Sequence, residues 1–211
     1  MGKSKELATL TDDGGTFSGS LSVTGSNFAS TTYTGTSVNP TGVYTGLTSD
    51  GGFTNNVRDS GYLQLSTNNV ERMRIDASGR VTMPYQPAFD AGLTSGNVTT
   101  GTILFNNVRL NIGNHYSSST GRFTAPISGL YEFYWGGIKN ATTAVTRAVL
   151  YRNGAGVREN RLAEGISYTN ACWKMLIELN ASDYVEIQIT AGDFYGSTDY
   201  YGNAFGGRLI G

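Results

Sequence analysis

Residues that could do chemistry are few in this sequence, and they do not stand at the spacings that catalysis requires. The one histidine, His115, precedes Tyr116 in a turn-like stretch, and no zinc-protease, phosphate-loop or nucleophile-elbow motif occurs. Asp12 and Asp13 lack the spacing of a calcium loop. We therefore expect a protein that is not an enzyme, with no catalytic residue, no metal site and no bound cofactor. The single cysteine, Cys172, precedes Trp173 and is expected to be a packed thiol.

The segment DFYGSTDYYGN, residues 193–203, is the best candidate for binding. Tyrosine combines apolar area with a hydrogen-bonding tip at a low entropy cost, while Ser, Gly and Asn add adaptable polar groups. We expect Tyr195, Asp199 and Tyr200 to contact a receptor, either a glycan or a protein. The alternative is that alternate tyrosines line the core or the axis of an oligomer. Loops 115–121 and 139–143 are weaker candidates.

Composition excludes several classes of partner. The 211 residues carry 15 basic and 16 acidic side chains, so there is no electrostatic footprint for nucleic acid. No apolar run reaches transmembrane length, so we expect no membrane insertion. The N-terminus lacks the apolar core of a secretion signal, which predicts synthesis in the cytoplasm. One cysteine permits no intrachain disulfide, and oligomerisation is the obvious other source of stability.

Patterns along the C-terminal part of the chain predict short β-strands separated by turns. Gly129 to Trp135 places aromatic side chains at alternate positions, and therefore on one face of a strand. Asn153-Gly154 after Thr146 to Arg152 is a strong hairpin signal. Such strands and turns are typical of an all-β sandwich or jelly roll.

The N-terminal part is different. Residues 1–12 contain the only good helical material, and we expect a short helix or arm there. Residues 13–60 are too poor in large apolar groups to form a core within one chain. They are either a flexible linker or β-structure shared between several chains. Short strands follow from 61 to 83, and Pro84 begins a region of different composition, so we divide the chain into 1–12, 13–83 and 84–211.

Two segments of the N-terminal part resemble bacteriophage tail-fibre and other virion appendage proteins. They are GTFSGSLSVTG at 15–25 and NNVERMRIDASGRVTM at 68–83, of which the ERMRID-x-SGRV stretch is the more specific. The resemblance implies an extended, β-rich, intertwined stalk for residues 13–83.

The C-terminal part resembles the globular head of the complement component 1q and tumour necrosis factor superfamily. The signature aromatic and glycine spacings run through Phe105, Asn111, Tyr116, Phe123, Gly129, Tyr131, Phe133 and Trp135, and Phe205-Gly206-Gly207-x-Leu209 resembles the closing strand. The resemblance implies a ten-stranded jelly roll that assembles as a homotrimer. We expect seven of its residues to pack in the core or along the trimer axis: Phe105, Phe123, Tyr131, Phe133, Trp135, Phe205 and Leu209.

Together the two resemblances favour a non-enzymatic bacteriophage virion protein, made in the host cytoplasm. In this interpretation a trimeric tail fibre attaches to another virion protein through residues 1–12, and its head binds a glycan or protein of the host surface. One alternative is a trimeric capsid decoration or cement protein. A second alternative is a secreted lectin-like protein.

Overall fold

A computed structural model describes residues 43–47, 52–57, 60–94, 96–140, 145–163, 165, 169–196 and 203–211. All regular secondary structure in these ranges is β-strand. The expected helix or arm at 1–12, and the part of the expected stalk before residue 43, lie outside the described residues. The division at residues 12 and 83 stays a prediction.

The chain separates into two compact units, residues 1–59 and 60–211. Strands β1 (Val43–Leu47) and β2 (Phe53–Val57) form an antiparallel hairpin in the first unit.

A small three-stranded sheet opens the second unit. It consists of β3 (Leu63–Thr67), β4 (Val70–Ile75) and β5 (Val81–Thr82), paired antiparallel in that order. Asn68 and Asn69 join β3 to β4 with φ values of 52° and 58°, a conformation that asparagine tolerates better than most residues. Asp76 closes the second turn, because its Oδ1 accepts hydrogen bonds from the backbone N–H groups of Ser78 and Arg80 at 2.9 and 3.0 Å.

Eleven further strands complete the described part of the second unit. They are β6 (Ala88–Gly92), β7 (Gly101–Thr102), β8 (Asn107–Ile112), β9 (Tyr116–Ser117), β10 (Arg122–Thr124), β11 (Gly129–Ile138), β12 (Thr146–Arg152), β13 (Ala155–Leu162), β14 (Asn170–Leu179), β15 (Tyr184–Ala191) and β16 (Ala204–Leu209).

These strands form two antiparallel sheets. One is five-stranded with the order β14-β11-β16-β6-β8; the other is six-stranded with the order β13-β12-β15-β10-β9, and β7 also pairs with β15. Most strands that follow one another along the chain alternate between the sheets, as in a jelly roll. The expected all-β jelly-roll sandwich is confirmed.

The hairpin between β12 and β13 forms where the sequence predicted it. Asn153 and Gly154 have φ values of 50° and 80°, which match the right-handed twist of the two strands that they join. The Asn153 side chain also ties this turn to the next one, since its Nδ2 donates to Asp183 Oδ1 at 2.7 Å.

Aromatic rings fill the space between the two sheets. Phe89 of β6 is at the centre of this cluster, with ring centroids 4.8 Å from Tyr116, 5.0 Å from Phe123 and 4.9 Å from Phe205. Burying each such side chain stabilises the fold by about 1.5–3 kcal/mol. Glycines of β16 allow the strand to approach the aromatic residues of β11, with which it pairs.

Candidate assembly face and binding loops

The seven residues that we expected in the core or on a trimer axis are all buried within one protomer. The least buried is Leu209, which is 8% exposed, and the others are at most 1% exposed. The side chains that are available to contact another protein are therefore those that the strands direct away from the sandwich.

We call the side of the five-stranded sheet that faces away from the sandwich the outer face. The register aligns three rows of residues across it, because paired residues of neighbouring strands share a face. The first row is Leu176, Glu132, Arg208, Ala88 and Ile112; the second is Lys174, Tyr134, Gly206, Asp90 and Leu110; the third is Cys172, Gly136, Ala204, Gly92 and Asn107.

Charged groups on the outer face are paired with one another. Asp90 accepts hydrogen bonds from Arg109 Nε at 2.5 Å, from Arg109 Nη2 at 2.9 Å and from Tyr134 Oη at 2.6 Å. The Arg109 guanidinium, with a smaller effect from the tyrosine hydroxyl, lowers the pKa of Asp90. Burial, and then the neighbouring Asp90, raise the pKa of Tyr134.

A second ionic group centres on Glu132 of the first row. Glu132 faces Lys174 Nζ at 2.5 Å and Arg208 Nη2 at 3.1 Å. The hydrogen bond from Lys174 is the main reason why the pKa of Glu132 is lowered, and Arg208 adds to the effect. An open depression of about 450 Å³ lies between these groups and is bordered by Leu110.

Apolar and small residues complete the outer face. Leu176 at one edge of the sheet and Leu110 at the other are 56% and 45% exposed. Two of the residues in the third row are glycines and one is alanine, so this row is nearly flat. A face with paired carboxylates, apolar edges and one nearly flat row is chemically suited to contact another protein surface.

Cys172 lies at the end of the third row and is exposed. The expectation of a packed thiol is wrong. The error has a simple cause, because strand β14 directs Trp173 inward, opposite Trp135, and the preceding residue must point outward.

The segment predicted to bind a receptor is described only in part. Tyr195 is half-buried, its N–H donates to Ile138 O at 2.8 Å, and its carbonyl accepts a hydrogen bond from Asn203 Nδ2. Asp199 and Tyr200 lie outside the described residues. The receptor contact of all three stays a prediction.

Asn203 was not singled out in the sequence, although the structure makes it the anchor of this segment. It is 4% exposed, and its Oδ1 accepts the N–H of Ile138 at 2.7 Å. Its backbone carbonyl also accepts the N–H of Leu93 at 3.1 Å. A buried asparagine with satisfied amide groups fixes the loop segments around it.

An open groove of about 490 Å³ adjoins the same segment. Val98, which lines it, forms two backbone hydrogen bonds of 3.0 Å with Phe194, the residue before Tyr195. None of the described residues that line the groove is charged. Its polar and exposed members include Asn97, Thr99, Thr100, Thr102, Leu104 and Asn106. We call it the loop groove.

A buried lysine directly after β11 was also not predicted from the sequence. Lys139 is fully buried, and its Nζ donates to Ala163 O at 2.6 Å. Nearby in the sequence, Trp135 Nε1 is buried without a hydrogen-bond partner in the structure. No pattern in the sequence distinguishes this lysine from an exposed one.

The remaining candidates for chemistry are separated from one another. His115 is half-buried, and its ring centroid is 6.4 Å from that of Phe123. Among the described residues, no three acidic, histidine or cysteine side chains cluster as metal ligands would. Nowhere in the described part of the chain is there a helix of the length and hydrophobicity needed to span a bilayer.

Comparisons with known proteins identify the sandwich. The family model of the C1q domain matches residues 88–210, more than half of the chain. The complement C1q tumor necrosis factor-related protein 3 of human and that of mouse are each 33% identical over 129 residues, which cover 59% of this chain and 51% of the relative. The chain therefore spans about half the length of the curated relatives it matches.

The chain is also similar to solved structures. Murine APRIL at pH 5.0 has a TM-score of 0.50 and 14% identity, over 59% of this chain and 99% of that one. The globular domain of zebrafish complement 1qA has a TM-score of 0.44 and 20% identity, over 60% and 98%.

The interpretation as a bacteriophage virion protein is wrong. The two curated relatives are complement-related proteins of human and mouse. The tail fibre, the capsid decoration protein, host attachment and the virion location are all corrected by this finding. The resemblance of residues 15–25 and 68–83 to fibre proteins is not matched by the family model, which begins at residue 88. What the matched region establishes is that the chain belongs to the C1q domain family.

Proposed function

We propose that this chain is a non-enzymatic, secreted, lectin-like protein whose C1q domains assemble as a homotrimer and bind a glycan or protein. The likeness to the complement-related relatives supports a binding role and an extracellular location. Homotrimeric assembly is typical of the fold. The proposal has two parts, an assembly face and a ligand-binding groove, and each can be tested separately.

The outer face carries the assembly part of the proposal. Its two carboxylates, Asp90 and Glu132, are each paired with cations within the protomer, so a second copy can approach without bringing unpaired carboxylates together. The third row, with Gly136 and Ala204 at its centre, permits close approach of another backbone. Leu110 and Leu176 supply the apolar area that association would remove from water.

Light scattering of the full chain tests the assembly. We expect a mass three times that of the 22.5 kDa chain. Ala204→Trp places a large ring in the flat third row and should give monomers, whereas Thr124→Trp, at an exposed position of the other sheet, should remain trimeric. Monomeric wild-type protein would refute the proposal, and so would a trimer that Ala204→Trp leaves intact.

Thiol labelling reports on the same face without a bulky substitution. Cys172 is exposed in the protomer and lies at the end of the third row. Assembly through the outer face should shield it, so labelling of the native trimer should be slow and should accelerate upon dissociation by dilution. Equal rates in both states would place the interface elsewhere.

The loop groove carries the binding part of the proposal. Its hydroxyl and amide groups can both donate and accept hydrogen bonds, which suits the hydroxyls of a neutral sugar. Leu104, which is 45% exposed, offers an apolar contact within the same groove. The backbone bridge from Val98 to Phe194 makes the groove continuous with the segment of Tyr195.

A glycan array with the full chain tests the groove. We expect binding to uncharged glycans, and each lost hydrogen bond in Asn97→Ala or Thr99→Ala should weaken a single site about fivefold, since it contributes about 1 kcal/mol. Three sites per trimer enlarge the change in avidity. Thr124→Ala, an exposed threonine outside the groove, is the matched control. Glycan binding that is unaffected by either groove variant would exclude this groove as the site.

A further inference from the structure

The small sheet of β3, β4 and β5 has two faces of very different chemistry. The register pairs Leu63 with Ile75, Ile75 with Val81, and Leu65 with Met73. Paired residues share a face, and so do alternate residues of one strand. These five side chains, Leu63, Leu65, Met73, Ile75 and Val81, therefore form one apolar face.

Charged groups gather on the opposite face. Arg74 pairs with Gln64 in the register and donates from Nε to Glu71 Oε1 at 3.0 Å. A bulge in β4 brings Glu71 opposite Ser66. The carboxylate of Glu71 therefore lies on the same face as Arg74. The Arg74 guanidinium also lies over the Tyr62 ring, 3.9 Å from its centroid. This face satisfies its own charges.

Within the described part of the chain, in contrast, the apolar face is left largely exposed. None of residues 60–86 is buried, and Leu65 and Val81 are 56% and 52% exposed. A sheet of three short strands is independently stable only when it can bury a hydrophobic face. The entropy lost on ordering each residue is about 1–2 kcal/mol, and the partial burial of these side chains does little to offset it. The face therefore requires a partner surface.

We propose that the apolar face packs against the same face of the other copies of this chain, so that three small sheets form one shared core next to the C1q domains. The five side chains of this face carry no charge, so identical copies can bring them together around a symmetry axis without repulsion. The neighbouring Arg72 is held by Thr67, to whose Oγ1 its Nε donates at 2.8 Å. The inference rests on the trimer proposed above and extends its interface to a segment that the C1q family match, which begins at residue 88, does not include.

The covalent connection favours other copies as the partner. Strand β5 ends at Thr82 and β6 begins at Ala88, so the link reaches at most roughly 20 Å. Strand β6 belongs to the sheet whose outer face we propose as the assembly face. Assembly through that face holds the three small sheets near one another at a high effective concentration, which makes their association nearly intramolecular.

Disulfide trapping in the full chain tests the inference. Cys172→Ser removes the native cysteine, and Leu65→Cys then introduces a thiol on the apolar face. Gln64→Cys, on the opposite face of the same strand, is the matched control. Under mild oxidation we expect Leu65→Cys to form disulfide-linked dimers within the trimer about tenfold faster than the control does. Leu65 is exposed in the protomer, so its replacement removes little intramolecular packing.

Hydrogen exchange provides a second measurement that needs no cross-link. Leu65→Glu combined with Val81→Glu should accelerate exchange of the β3 and β4 amides, while Gln64→Glu combined with Thr82→Glu should leave it unchanged. Protection of β3 and β4 without cross-linking at Leu65 would mean that another segment, such as residues 1–59, covers the face, and the inference would be wrong.

The outcomes separate the two proposals. Wild-type protein that is monomeric by light scattering refutes the trimer and this inference with it. A trimer in which Leu65→Cys reacts no faster than Gln64→Cys leaves the proposed function standing and overturns the shared core alone.

Discussion

A single methyl group added to the closing strand should destabilise the sandwich. The Cβ of an alanine at position 207 would lie 2.6 Å from Phe133 Cε1 and 2.9 Å from the carbonyl oxygen of Glu132. Phe133 is fully buried, and the carbonyl belongs to the paired strand β11, so neither atom can move away easily. Gly207 does not have a positive φ, and the effect of the substitution is therefore steric.

The magnitude follows from two opposing contributions. Overpacking of a well-packed core typically destabilises by about 1–3 kcal/mol. Replacing glycine by alanine restricts the unfolded chain and returns about 0.4–1 kcal/mol. We expect Gly207→Ala to lower the free energy of unfolding by about 1.3 kcal/mol, the difference between the middles of these two ranges. For a chain of this size, that change lowers the Tm by roughly 3–5 °C.

Gly156→Ala is the matched control. Gly156 lies on β13, at the edge of its sheet. The nearest atom to a Cβ at this position would be Val149 Cγ1, at 3.3 Å. We expect a change within about 0.5 kcal/mol. Urea unfolding at one fixed protein concentration measures both variants, since an oligomer's stability depends on concentration. Equal effects of the two substitutions would show that the close approach of β16 to Phe133 does not limit packing.

Three further substitutions or conditions probe the core, the loops and the outer face. Phe123→Ala should lower the free energy of unfolding by about 3–5 kcal/mol, because the Phe123 ring packs against Phe89 and Phe133. Thr124 is exposed on the same strand, and Thr124→Ala should change this free energy by less than about 0.5 kcal/mol. Asn203→Ala leaves the Ile138 N–H without its acceptor, so it should lower the free energy of unfolding by about 1–3 kcal/mol and speed hydrogen exchange around Tyr195. Asn160→Ala is the control and should have neither effect, because it removes only a 3.4 Å bond to Cys172 O. The cationic partners of Asp90 and Glu132 lower the pKa values of these carboxyl groups in the folded state relative to the unfolded state. The resulting stabilisation is therefore present above the ordinary carboxyl pKa values and is lost as the pH falls below roughly 4. Urea unfolding at pH 7 and pH 3 measures this loss, and Glu132→Gln should reduce it; an unchanged pH dependence would mean that this pair contributes nothing.

The sequence predicted the sandwich well because its strands obey local rules. Alternation placed Tyr131, Phe133 and Trp135 on one buried face, and Asn153-Gly154 marked a hairpin that the structure contains. Both signals depend only on neighbouring residues, so no knowledge of the other sheet was needed.

Pairing between distant strands was not predictable in the same way. Nothing in the local sequence indicates that Asp90 faces Arg109 and Tyr134, because these residues come from three strands that meet only in the folded sheet. The buried Asn203 and Lys139 were missed for the same reason: a polar residue is recognised as buried only when its partners are known. The pairing of charges on the outer face is thus a property of the topology.

The two resemblances seen in the sequence differed in value for a physical reason. The short segment around ERMRID-x-SGRV specifies alternating strands and an aspartate-capped turn, in which Asp76 binds the N–H groups of Ser78 and Arg80. Many unrelated proteins can use such a turn, so it says little about function.

The C1q signature is more informative because its positions must satisfy one another in three dimensions. The signature residues Tyr116, Phe123 and Phe205 belong to three strands, and their ring centroids all lie 4.8 to 5.0 Å from that of Phe89 on a fourth strand. Changing the length of any connection between them would move a ring out of the cluster and leave a cavity, which destabilises a core by several kcal/mol. Fixed spacings over a hundred residues therefore encode the sandwich itself, whereas a capped turn encodes only a turn. This difference explains why the head assignment agrees with the family match while the virion interpretation, which depended on the short segments, failed.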